Sequence, residues 1–231
     1  MTHTKKLLTL YETLFNEYGP QGWWPLLKQS STDLKNIYSF YHSGDYSYPK
    51  NKSQKFEICV GAILTQNTSW KNVEKALAQL FFHDAIHPKK IIQMPFDTLS
   101  TYIQSAGYYN QKSKKLKIFS EFFLSCNTQT PSRETLLSVW GIGPETADSI
   151  LLYAYHIPIF VIDAYTRRIL IALGLSNEKQ SYQVVQNLFM DHLSHDVNFF
   201  QEYHALFVEH AKQFYPKKLG NQHDPLLAHL T

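Results

Sequence analysis

Cysteine is scarce in this 231-residue chain, with only Cys59 and Cys126. Two thiols cannot staple a small scaffold, which excludes a disulfide-built protein. Both sit among apolar, helix-like neighbours and read as buried free thiols. Long apolar runs are missing too: no stretch reaches the roughly 18 residues a membrane helix needs. The opening MTHTKKLLTLYETLFNEYG carries charges throughout and reads as neither a signal peptide nor a span. The net charge of +3 permits a polyanionic partner, but only a local basic patch would argue for one. Internal repeats and low-complexity tracts are absent, and only the short IPIFVI has the β-branched density of a strand. A cytoplasmic monomer is expected.

The chain is 44% hydrophobic, enough to bury the core of one large domain or two small lobes. Its 15 Tyr, 15 Phe and 4 Trp suit helix packing and surfaces that stack bases. Helical periodicity dominates. Leu7, Leu10, Leu14 and Phe15 line one face of an opening helix that stops near Gly19-Pro20. A polar, tyrosine-rich connector runs from about 29 to 55, where Leu34, Ile37 and Tyr38 suit a short helix. From Phe56, FEICVGAILTQ is apolar nearly all round and marks a buried helix. Further helices are expected at 70–82, 96–106, 111–125, 133–139, 144–155, 164–173, 180–193 and 198–214. The fold class is all-α, with about ten helices.

The most informative stretch is VWGIGPETADSILLYAYHIPIFVIDAYTRR, residues 139–168. A helix opened by Pro131-Ser132 closes at Trp140, and Gly141-Ile142-Gly143 turns the chain with Ile142 packed inward. Pro144 suits a first helical position, and Glu145 suits the positive end of the helix dipole. Ala147, Ile150, Leu151 and Ala154 then repeat at helical spacing. Such a turn reads either as an ordinary αα-hairpin or as a phosphate clamp. Asp163 reads either as a helix N-cap or as a catalytic carboxylate, and one residue can serve as both. His192, His195, His204 and His210 invite a metal reading, but no HExxH or comparable spacing supports it.

Four blocks in order carry a family resemblance. LLSVWGIGPETADSILLYA resembles the helix-hairpin-helix of the endonuclease III superfamily of DNA glycosylases, and VIDAYTRR resembles its catalytic segment. GAILTQNTSW resembles the segment whose glutamine enters the duplex, and GYYNQKSKKL resembles the turn and helix start that meet phosphates. The resemblance implies two lobes with an active-site cleft between them. One lobe would span 56–163 and hold the hairpin at 132–155; the other would combine 1–55 with 164–231. It implies that Asp163 is catalytic and that Gln66, Tyr108, Asn110, Lys112, Lys115, Gly141 and Gly143 bind DNA. Lys112, Lys114, Lys115 and Lys117 share the basic helix and read equally well as a solvated face.

The departures sharpen this. Where bifunctional members carry a Schiff-base lysine, this chain has Glu145, which cannot do that chemistry. Where many members place the first cysteine of an iron–sulfur cluster, HALFVEHAKQFYPKK has Tyr215, and no cysteine follows Cys126. A member without cluster or lysine resembles the bacterial 3-methyladenine DNA glycosylases, through QGWWPLL and KSQKFEICVGAILTQNT. That implies a base pocket of Trp23, Trp24, Pro25 and Phe56, with Lys212 beside it. A lysine that is modified in one such protein matches Leu206 here, so something else must brace the C-terminal segment. The implied function is hydrolytic removal of an alkylated purine such as 3-methyladenine from double-stranded DNA, without a cofactor or resident metal. A monovalent cation at the hairpin is a further expectation. Two alternatives stay open: a same-fold glycosylase for a mismatched or oxidised base, and a non-catalytic DNA-binding protein.

Overall fold

The structure, a computed structural model, describes residues 2–127, 129–215 and 224–230. Among them are eleven α-helices and one two-stranded sheet, divided between two compact units. None of these helices is long and apolar enough to cross a membrane.

The first unit comprises residues 1–23, 42–46 and 156–231. Helix α1 (His3–Tyr18) buries Leu7, Leu10 and Leu14 on one stripe and stops at Gly19, whose φ of 65° leaves the helical region. It packs on α11 (Val197–Phe214), which also meets α9 (Ala164–Ala172). Helix α10 (Tyr182–Met190) adds Phe189, which stacks on Phe160 at 3.8 Å between ring centroids. Tyr203 and Phe207 close this aromatic core, and the Tyr203 hydroxyl donates to the Leu7 carbonyl at 2.7 Å. IPIFVI, the one strand-like run, forms no strand: the Ile159 amide donates to the Ile157 carbonyl at 2.8 Å, and Gln186 Nε2 takes up the Phe160 carbonyl at 2.7 Å.

The second unit comprises residues 24–41 and 47–155 and is built around α2 (Lys52–Leu64). Nine consecutive residues of α2, Phe56–Leu64, are buried, as expected of a helix surrounded by others. Helices α3 (Trp70–Phe82), α6 (Tyr109–Ser125) and α8 (Pro144–Ser149) pack on it. Gly61 admits the indole of Trp24, since a Cβ there would meet Trp24 Nε1 at 2.9 Å. Two short helices, α4 (Pro88–Gln93) and α5 (Phe96–Tyr102), lie against α6, and α7 (Arg133–Ser138) precedes the hairpin.

The connector holds more structure than the sequence suggests. Strand β1 (Leu26–Gln29) pairs antiparallel with β2 (Ile37–Phe40), with Leu26 opposite Phe40. The expected short helix shrinks to a 3-10 turn at Leu34–Asn36, and Ile37 and Tyr38 belong to β2. Glu57 on α2 holds this hairpin by accepting the Leu27 amide proton at 2.5 Å.

Candidate active site

Asp163 caps α9 in the first unit. Its Oδ1 accepts the Thr166 amide at 2.7 Å, while Oδ2 faces His204 Nε2 of α11 at 3.7 Å. Burial pushes this carboxyl up, but the His204 imidazole and the amide and hydroxyl of Thr166 lower it by more. Asp163 is therefore held below its ordinary value and stays ionised at neutral pH. Trp23 meets the edge of His204 at 5.8 Å between centroids, and Lys212 Nζ stands 6.0 Å from the Trp23 ring centre. Lys212 also pairs with Glu209 at 3.1 Å. The first unit thus gathers a carboxylate, an imidazole, a half-buried indole and an ammonium.

The other expected pocket residues behave differently. Trp24 is buried in the second unit, edge-on to Trp70 and Tyr153 at 5.5 and 5.3 Å. Phe56 is 1% exposed and packs on Phe123 at 4.9 Å. Pro25 is buried as well. Trp24 and Phe56 thus pack in the core of the second unit, while Trp23, the third residue expected to stack a base, keeps partial exposure.

The hairpin lies wholly within the second unit. Ser132 caps α7 through the Thr135 amide at 3.1 Å, and Gly141 then turns the chain at φ 85°. A Cβ on Gly141 would come within 2.7 Å of the Lys115 side chain, so glycine is required for both turn and approach. Ile142 is buried, Gly143 is exposed at the N-cap of α8, and Pro144 takes the first helical position. Beyond Ser149 the helix widens into a π-helical turn, Ile150–Ala154, all five residues buried.

A cavity of about 310 Å³ opens here, lined by Gln66, Asn67, Lys115, Gly141, Gly143, Glu145 and Thr146. Gln66 is tightly held: Nε2 donates to the Gly141 carbonyl at 3.1 Å and to Thr146 Oγ1 at 2.9 Å, and Oε1 accepts from Lys115 Nζ. Burial lowers the Lys115 pKa. Tyr108 is 71% exposed in the left-handed conformation (φ 46°, ψ 33°) just before α6, and Asn110 is exposed beside it.

The four lysines of α6 divide. Lys112 is 2% exposed and donates to the Leu64 and Ala106 carbonyls, both at 2.8 Å. Its ammonium is committed to backbone carbonyls of its own unit. Lys117 donates to the carbonyls of Ile91, Ile92 and Met94 and caps α4. Lys115 faces the cavity, and Lys114 lies over the exposed Trp140 ring at 4.4 Å. This Lys114–Trp140 pair and the place of His204 were not anticipated from the sequence. An aromatic beside the hairpin glycines was the visible signal for the first.

The chain does not fit an iron–sulfur cluster. Cys59 is buried in the second unit with its thiol pushed up by burial, and Cys126 lies in that unit as well. In the first unit the C-terminal segment is held by hydrogen bonds: His210 Nδ1 with the Tyr18 hydroxyl at 2.8 Å, and Nε2 with Asp224 Oδ2 at 2.8 Å. The Tyr215 hydroxyl donates to the same Asp224 oxygen at 2.7 Å. Among the described residues, no group of three His, Cys, Asp or Glu converges as a metal site would.

Residues 60–195 match the family of HhH-GPD superfamily base excision DNA repair proteins. The chain is 40% identical over 220 residues to a Methanocaldococcus jannaschii protein named as a DNA repair glycosylase, covering 90% of this chain and 88% of that one. The Helicobacter pylori 3-methyladenine DNA glycosylase bound to 1,N6-ethenoadenine is structurally similar. It has a TM-score of 0.69 and 26% identity, covering 95% of this chain and 100% of that chain. An endonuclease III in a non-covalent DNA complex shares the fold, with a TM-score of 0.74 at 19% identity, covering 100% and 95% of the two chains. The chain belongs to the helix-hairpin-helix superfamily of base excision repair glycosylases.

Proposed function

We propose that this protein is a monofunctional DNA glycosylase that removes an alkylated purine such as 3-methyladenine from double-stranded DNA. The observation that carries the reading is Asp163: a helix cap fixes one carboxylate oxygen, and the ionised group faces His204, whose ring meets the half-buried Trp23. The resemblance to the H. pylori 3-methyladenine DNA glycosylase supports the substrate class.

The nucleotide must first leave the stack, at a few kcal/mol. Lys115 and the hairpin backbone at Gly141 and Gly143 grip phosphates, while Gln66 and Tyr108 occupy the opened duplex. A 3-methylated adenine is cationic and already a good leaving group. Its charge is attracted to the face of Trp23. Asp163 stabilises the developing oxocarbenium ion and orients the attacking water. Glu145 supplies no amine at the hairpin, so the strand stays intact.

Methylated duplex incubated with the full chain tests this. Free 3-methyladenine is expected, with release at least ~100-fold slower for Asp163→Asn. No release, or release at equal rates, overturns the reading.

A further inference from the structure

We propose that His204 is a positioning residue of the glycosylase reaction, which sets the free oxygen of Asp163 and ties it to the seat of the base at Trp23. This rests on the assignment of Asp163 above. The side chain of His204 is 4% exposed, and a buried imidazole is retained where its ring nitrogens find polar partners. It sits on α11 between two groups the chemistry needs. On one side Nε2 stands 3.7 Å from Asp163 Oδ2; on the other its ring meets Trp23 nearly perpendicularly, at 85°.

The two oxygens of Asp163 have separate duties. Oδ1 is committed to the Thr166 amide at 2.7 Å and anchors the carboxylate to the start of α9. Oδ2 faces His204, and the 14% exposure of the Asp163 side chain leaves room for a water or a sugar. A separation of 3.7 Å suits a hydrogen bond that forms when substrate fills the site, as catalytic contacts of free enzymes often tighten. The neighbouring cations are directed elsewhere. Lys212 pairs with Glu209, and on α9 Arg167 and Arg168 donate to the carbonyls of Gln180 and Tyr215. A base stacked on Trp23 therefore presses on the residue that aims the carboxylate, linking base seating to hydrolysis.

The test compares wild type, His204→Ala, His204→Gln and Asp163→Asn on a 3-methyladenine duplex, with binding to an abasic-analogue duplex measured in parallel. His204→Ala is expected to slow single-turnover release at least tenfold while the binding constant stays within twofold. His204→Gln, which restores an N–H, is expected to recover part of the rate. The Asp163 carboxyl titration, followed by carbon-13 NMR, is expected to move up in His204→Ala. An unchanged rate, an unmoved titration, or equal loss of binding and rate overturns the proposal. If Asp163→Asn keeps wild-type release, the catalytic assignment of Asp163 fails, and the titration still decides whether His204 governs Asp163.

Discussion

The ammonium of Lys112 donates to the carbonyl of Leu64, 48 residues earlier, and so fastens the end of α2 to the start of α6. Burial lowers its pKa to about 8. Lys112→Met is expected to destabilise the fold by about 2–4 kcal/mol, because two carbonyls lose a charged donor. It should leave the salt dependence of DNA binding unchanged. Lys115→Ala is expected to do the opposite, preserving the melting temperature while reducing the salt slope by about 1. Thermal unfolding and anisotropy titrations over a range of salt separate the two.

Glu57 is 9% exposed, and burial raises its carboxyl to about 7, against a smaller lowering by the Leu27 amide. Because the folded pKa lies above the unfolded one, stability is full below about pH 4.5 and is lost as pH rises toward 7. At ~1.4 kcal/mol per pH unit the loss is roughly 3 kcal/mol. Glu57→Gln keeps an acceptor for the Leu27 amide without the charge. It should unfold later than wild type at pH 8 and nearly with it at pH 4.5.

Asp224 accepts from His210, Tyr215 and the Leu227 amide. Burial raises its carboxyl, but the bonds from His210 and Tyr215 lower it by more, leaving it below its ordinary value. The stability it contributes is present at neutral pH and disappears as pH falls through that depressed value. Asp224→Asn is expected to cost about 1–3 kcal/mol at pH 7 and less at pH 3, measured by denaturant unfolding.

Glu145 is exposed at the first turn of α8. Glu145→Lys is expected to yield a borohydride-trapped covalent complex with abasic DNA, while wild type yields none. Trapping by wild type at the same level would mean that another amine does this chemistry.

Much of this architecture was legible in the letters. Helix α3 spans Trp70–Phe82 as its periodicity predicts, and the all-round apolarity of FEICVGAIL correctly marks a buried helix. Asp163 as a cap followed from its place before AYTRRILIALG. What the letters did not show has physical causes. Lys112 stands four and seven residues before Leu116 and Phe119, so helical spacing already put it on the buried stripe of α6. Charge alone suggested a solvated or phosphate-facing role. Trp24 looked available until Gly61 supplied the recess its indole fills. The β1–β2 hairpin escaped notice because Leu26–Gln29 and Ile37–Phe40 are four residues each, too short for a period of two to declare itself. His204 could not be linked to Asp163 across 41 positions of sequence without the packing of α9 on α11.

The most direct test follows one end-labelled duplex with a single 3-methyladenine, scoring base release and strand integrity in the same samples. Wild type is expected to free the base while the strand stays whole until alkali is added, and Asp163→Asn to free almost none. Strand cleavage appearing together with base release, or undiminished release by Asp163→Asn, would contradict it.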